Sequence, residues 1–304
     1  MERIKLGNSN LAVSPISLGC MSLGTDATKA SEIIDEALDL GINYLDTADL
    51  YDQGQNEEIV GRAIKNKRDQ IILATKVGNH LKDDGSWFWD PRKAYIKEQV
   101  KESLRRLQTD YIDLYQLHGG TIEDPIDEII EAFEELVKEG VVRYYGISSI
   151  RPNVIREYAA KSNINSVMMQ YSMLDRRPEE EVMTLLAAQQ ISVVTRGSLA
   201  KGMLSAKGPE IVSDKGKKGY LDYDASTLKN TVEQLQAVLQ DNQTLNGLAL
   251  QYVLQEQAVA SVVTGASSIT QLKENVNALN QHFESEQFAK VKEITKANTY
   301  QQHR

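Results

Sequence analysis

Short β-branched and aromatic runs alternate with helix-period segments from residue 16 almost to the end of the 304-residue chain. No other feature narrows the possible folds as much. Eight runs read as strands: ISLG (16–19), INYLD (42–46), IILATK (71–76), IDLYQLH (112–118), VRYYGIS (142–148), SVMMQY (166–171), ISVVTR (191–196) and ASVVTG (260–265). Between them apolar residues recur at three- and four-residue spacing, as in Ile33, Ile34, Ala37 and Leu38, then Ile59, Val60, Ala63 and Ile64, and later Ile129, Ile130, Phe133, Leu136 and Val137. That is the period of one helix face. Strands alternating with helices imply a parallel sheet, because each parallel neighbour needs a crossover and a helix supplies it. Eight units at a mean step of roughly 35 residues predict closure into a (β/α)8 TIM barrel. This α/β reading places residues 1–304 in a single domain, a length that suits a large barrel better than an ordinary compact domain.

Three stretches depart from the repeat. The opening ERIKLGNSNLAVS reads as a short β-hairpin, placed by pattern as a plug over the barrel end opposite the site. A long connection after strand three, 78–92, holds Trp87, Phe88 and Trp89, and a second after strand seven, 208–226, is polar and reads as a mobile loop before two helices. Both leave C-terminal strand ends, the face on which barrel enzymes place substrates. There are 34 basic against 43 acidic residues, a formal charge of −9, which disfavours nucleic acid as a partner. A lone cysteine, Cys20, forms no internal disulfide or cysteine metal cluster and suits a reducing compartment. No apolar run of about eighteen residues is present, and the first residues lack a signal-peptide core, so the expected location is the cytoplasm, with no membrane partner.

On a barrel, four ionisable residues reach the same rim. Asp46 closes strand two with Tyr51 five residues on, Lys76 closes strand three, and His118 closes strand four. Such a set suits proton delivery to a carbonyl oxygen. Tyrosine alone is too weak an acid, at a reference pKa of about 10, but a nearby ammonium stabilises its phenolate, and a carboxylate holds that ammonium charged and oriented. A histidine can hydrogen-bond the same oxygen. Taken singly, each has an ordinary structural use: Asp46 as a cap, Tyr51 as a half-buried aromatic, Lys76 in a surface ion pair, His118 in the core.

LDTADLYDQGQNEEIVGRAI, ATKVG, ESLRRLQTDYIDLYQLHGG, VRYYGISS and GASSITQLKENVNAL together resemble the aldo-keto reductase family across nearly the whole chain. The resemblance implies that Tyr51 is the general acid, that Lys76 and Asp46 tune it, and that His118 orients a small carbonyl substrate. It implies NADPH/NADP+ as cofactor, in preference to NADH and without a Rossmann domain, in keeping with the absence of a G-x-G-x-x-G run after a strand. Cofactor contacts then fall on Gly19, Cys20, Met21 and Asp46, with Ser148, Ser149 and Gln170 holding the carboxamide. After strand seven, Arg196 and Gly197 also contact the cofactor, and Ser198, Leu199, Lys201, Gly202, Ser205 and Lys207 wrap the pyrophosphate, whose charge calls for backbone N–H groups and cations. Gly265, Ala266, Ser267, Gln271, Glu274 and Asn275 meet the adenosine end, at a helix start in ASSITQ with free N–H groups for a 2′-phosphate.

Three departures from the family pattern stand out. Arg196 occupies the place of a nicotinamide-stacking tyrosine, Ser148-Ser149 replaces Ser-Asn, and Gln271 stands where many members carry arginine. The Ser267/Gln271 pattern resembles the branch that includes potassium-channel beta subunits, so a slow-turnover, cofactor-bound regulatory protein stands beside the reductase as an alternative. A metal-dependent hydrolase is disfavoured, because His80, His118, His282 and His303 show no ligand-pair spacing. Trp87, Phe88 and Trp89 are candidates for an apolar substrate wall or for a loop anchor, and Gly119 and Gly120 are expected to leave room beside His118.

Overall fold

The computed structural model describes residues 1–82 and 84–304. Eight parallel strands close into a barrel in chain order: Ile16–Gly19, Tyr44–Asp46, Ile72–Val77, Ile112–Leu117, Val142–Ser148, Ser166–Gln170, Ser192–Arg196 and Val259–Gly265. The eighth returns to the first through Val262 opposite Ile16 and Gly265 opposite Gly19. Strand limits read from the sequence agree to within two residues.

Side-chain alternation along these strands sorts the residues into layers. Tyr44, Ile72, Ala74, Leu114, Met168 and Val194 share one buried cluster inside the barrel, whereas Leu45, Leu73, Tyr115, Val167 and Val193 join the larger cluster under the helices. Two residues beyond the interior apolar layer, in the same orientation, come Asp46, Lys76, Gln116, Gln170 and Arg196. The period of two therefore converts a dry interior into a polar rim within one step of each strand. At the opposite end, Ile4–Lys5 pairs antiparallel with Ala12–Val13. Leu6, Leu11 and Val13 pack on the interior cluster, and Gly7 N–H donates to Ser192 Oγ at 2.8 Å. The expected hairpin plug is thus a lid on the apolar floor.

Helices cover the outside, beginning with Ala27–Asp39, where Asp26 accepts from the N–H groups of Thr28 and Lys29. Such a cap is worth about 1 kcal/mol. One expectation about connections needs correction. The 208–226 stretch is no open loop: it contains the helix Gly208–Lys215, a tight turn at Gly216–Lys218 and a bridge between Tyr220 and Tyr223. Pro209 presets the backbone at the helix start, Glu210 suits the first turn, and Val212 is its one buried large apolar residue. One buried valine leaves little periodicity to read. The 78–92 connection, within which Asp83 lies outside the described residues, forms an antiparallel pair of Asn79–Leu81 with Trp87–Trp89.

Candidate active site

The loop after the second strand climbs the edge of the third. Thr47 N–H donates to Ala74 O (2.9 Å) and Asp49 N–H to Lys76 O (3.3 Å), after which the chain folds back so that Tyr51 lies beside Lys76. Asp52, Gln53 and Gly54 all have positive φ, 47°, 55° and 89°, and this sharp path turns the chain into the helix Gln55–Ile64. Asn56 on that helix secures the arrangement by accepting from Thr47 Oγ1 (2.7 Å) and donating to Cys20 O (2.9 Å).

Lys76 is fully buried, and its ammonium has three partners: Asp46 Oδ1 at 2.6 Å, Thr47 O at 2.8 Å and Tyr51 Oη at 3.2 Å. Burial pulls its pKa down, but Asp46 and Tyr51 outweigh that and hold the ammonium above the usual lysine value. Burial likewise pushes the Asp46 carboxyl up, opposed by Lys76 and by Gln116, whose amide donates to Oδ2 at 3.3 Å. With both oxygens receiving donors, the pair is ionised. Three N–H groups and three acceptors leave Lys76 no spare donor. Because Lys76 donates to the Tyr51 oxygen, the Tyr51 hydroxyl proton remains available to a group in the cavity.

The His118 ring meets Tyr51 edge-on at 6.0 Å between centroids. Its Nδ1 is buried and has no hydrogen-bond partner among the described residues. Burial, then Lys76 and Arg196, lower its pKa to about 3, so the ring is neutral. An unpaired buried N–H is a worse arrangement than an unpaired lone pair, which assigns the proton to Nε2. We expect the ring resonances of His118 to stay flat in an NMR titration from pH 8 to 5; a midpoint near the reference value of about 6.5 would contradict this. Because the unfolded chain binds the extra proton first, the His118 contribution to stability is full above the unfolded value and declines as pH falls toward 3, by up to about 1.4 kcal/mol per pH unit.

Alternation in the rim hairpin divides its three aromatics. Trp87 and Trp89 line the cavity, while Phe88 faces the other way and stacks on His80 at 4.6 Å. Of the three candidates for the substrate wall, Phe88 is therefore no part of the cavity and takes the alternative place, as a loop anchor. Trp89 also takes the room expected beside His118: Cβ atoms at Gly78 and Gly119 would lie 2.5 and 3.3 Å from its ring. Its indole N–H donates to both oxygens of Asp124 (3.0 and 3.1 Å), clamping the hairpin to the loop after the fourth strand.

One cavity of about 1580 Å³ runs from Trp87 and His118 to Glu274 and Asn275, far longer than a small carbonyl compound needs. Along it lie Gly19, Met21, Asp46, Ser148, Ser149, Gln170, Arg196, the predicted turn residues from Gly197 to Lys207, Gly265 and Gln271. Cys20 is buried behind this surface with its thiol toward Leu18 O, and Ser267 does not line it. Several predicted groups already have partners. Gln170 donates to Asp175 (2.8 Å) and Tyr220 (3.2 Å) and accepts from Arg196 (3.1 Å). At the start of the helix Ile269–Asn277, Gln271 Oε1 accepts Ser267 N–H and Ser268 Oγ accepts Gln271 N–H, so the N–H groups expected to be free are partly taken. The groove nevertheless fits a dinucleotide in length, in its cations Arg196, Lys201 and Lys207, and in consecutive positive φ at Ala200, Lys201 and Gly202, which turn the backbone around one wall.

Reading from residues alone missed Asn79, Ile150, Arg151, Tyr220 and Leu221 on the lining. Asp49 has a buried carboxyl with both oxygens unpartnered among the described residues; burial and then Glu57 push it well above the carboxylate range.

An eight-stranded parallel barrel with this polar rim and a dinucleotide-length groove has the build of a barrel oxidoreductase. Residues 15–296 match the family model described as the aldo/keto reductase family, and the chain belongs to that family, whose members use a nicotinamide cofactor. It is 59% identical over 308 residues to the uncharacterized oxidoreductase YqkF of Bacillus subtilis (strain 168), covering 100% of both chains. Over 323 residues it is 30% identical to the NADH-specific methylglyoxal reductase of Escherichia coli (strain K12), covering 98% of this chain and 99% of that one. Among solved structures it resembles the holo form of aldo-keto reductase AKR11C1 from Bacillus halodurans, with TM-score 0.93, 57% identity, and coverage of 100% of this chain and 99% of that one.

Proposed function

We propose that the protein is an NADPH-dependent reductase of small aldehydes and ketones in which Tyr51 donates the proton. The observation that carries this is the Lys76 ammonium, held by Asp46 and Thr47 O and donating its third N–H to Tyr51 Oη. As the carbonyl is reduced, its oxygen becomes basic and takes the Tyr51 proton, and the phenolate left behind is stabilised by an ammonium already in place. Neutral His118 donates from Nε2 to the same oxygen and fixes the carbonyl's orientation; Trp87 and Trp89 give the substrate side an apolar wall. The nicotinamide cofactor, when bound, supplies the hydride. Gly19, Met21, Ser148, Ser149, Gln170 and the 196–207 turn would hold it, with Lys201 and Lys207 toward phosphates and Gln271, Glu274 and Asn275 toward the adenosine end.

The test is a fluorescence titration with NADPH and NADH, followed by absorbance assays of cofactor oxidation with aldehydes and ketones. NADPH should bind more tightly and be oxidised in the presence of aldehyde; the NADH specificity named for the Escherichia coli relative makes the reverse order a concrete competing result. Arg196 supports a further expectation, since its guanidinium is exposed on the groove and has no carboxylate partner among the described residues. A positive charge there disfavours the oxidised, cationic nicotinamide. Arg196→Tyr should tighten NADP+ relative to NADPH by about three- to fivefold, the scale of an exposed charge interaction. An unchanged affinity ratio would remove Arg196 from that role.

A further inference from the structure

The substrate side of the cavity contains a guanidinium that proton delivery does not use. Arg151 follows the fifth strand, immediately before the helix Pro152–Lys161, and lines the cavity with Trp87, Trp89, Gly120 and Thr121. Its side chain donates from Nη1 to Gly120 O, and its backbone N–H donates to Ser149 Oγ at 3.2 Å. The Gly120 contact ties it to the loop that carries His118, two residues on from the histidine.

Arg143, Arg156, Arg176 and Arg177 each have a carboxylate partner, but among the described residues Arg151 has none. In the adjoining loop, both Asp124 oxygens accept from the Trp89 indole and Oδ2 also from Thr121 N–H (2.6 Å), and Asp124 makes no ion pair with Arg151. Of the acids on the cavity, Asp46 is committed to Lys76 and Gln116, and Glu274 stands at the far end with Asn275. A guanidinium has five N–H donors in a planar fork suited to carboxylate or phosphate. One is used by Gly120 O, which fixes the group in place and leaves the rest for a ligand.

We propose that Arg151 binds an anionic group on the tail of the substrate, so that the preferred compounds are aldehydes bearing a carboxylate or phosphate a few atoms from the carbonyl. This rests on the carbonyl-reduction reading. Charge-assisted hydrogen bonds of this kind favour a charged over a neutral tail by about tenfold or more.

The experiment compares kcat/KM for 4-oxobutanoate against butanal and for glyceraldehyde 3-phosphate against glyceraldehyde, in the wild-type protein, Arg151→Met and Arg151→Lys. A wild-type preference of about tenfold for the charged member of at least one pair is expected, expressed mainly in KM, and the pair that shows it separates carboxylate from phosphate. Arg151→Met should collapse the charged-to-neutral ratio toward one, and Arg151→Lys should restore part of it. If Arg151→Met fails to fold, the wild-type ratio alone decides: it should shrink as ionic strength rises from about 20 to about 300 mM. Equal kcat/KM within both pairs, or a preference that survives Arg151→Met, overturns the anionic-tail proposal while butanal turnover leaves carbonyl reduction standing. Turnover of none of the four aldehydes overturns both.

Discussion

Replacing Lys76 with methionine is expected to lower the unfolding free energy of the cofactor-free protein by about 3–5 kcal/mol, because it leaves the Asp46 carboxylate buried without its counter-charge. Asp46 is 3% exposed and Lys76 0%, so water cannot stand in for the missing ammonium. Turnover should fall at the same time, by about a hundredfold or more, since the Tyr51 phenolate loses its stabilising donor. The Lys76→Met/Asp46→Asn pair separates these two effects. Removing both charges should restore much of the stability lost by the single change while activity stays low. Urea unfolding and steady-state assays on Lys76→Met, Asp46→Asn and the double variant provide the check. Full additivity of the two stability losses would mean that Asp46 and Lys76 do not form the coupled pair described above.

The barrel was legible because its strands are buried on both faces, so runs such as IILATK and VRYYGIS are nearly continuous in apolar residues and are separated by helix-period segments. The polar rim was legible for the same reason. A charged residue at the end of such a run, like Lys76 after Ile72 and Ala74, marks where the apolar interior gives way to polar side chains. Other features depend on spatial facts that no run of residues displays. Phe88 and Trp89 are adjacent in sequence yet face opposite sides, because the segment pairs as a short strand with Asn79–Leu81. Gly119 suggested space, but its missing side chain accommodates the Trp89 ring, which arrives from thirty residues away. The helix Gly208–Lys215 was hidden by its composition. Arg151 was invisible for a different reason: its significance lies in having no carboxylate partner among the described residues, and only three-dimensional neighbours reveal that.

Tyr51→Phe is the second change with a large expected effect. The substitution removes one oxygen and one proton while keeping the ring, so the edge contact with His118 and the ammonium over the ring at 4.9 Å can persist. Lys76 loses its third acceptor, which costs about 1–3 kcal/mol of stability, but keeps its bonds to Asp46 and Thr47 O. Nothing in the groove from Gly197 to Asn275 is altered, so cofactor binding should be preserved. What disappears is the proton source. The decisive measurement is therefore kcat for a reactive aldehyde in Tyr51→Phe, taken beside NADPH affinity measured by fluorescence on the same preparation. The expected result is a fall in kcat of about 10²- to 10⁴-fold with NADPH affinity within about twofold of wild type. Turnover near the wild-type rate would contradict it and remove Tyr51 as the proton donor.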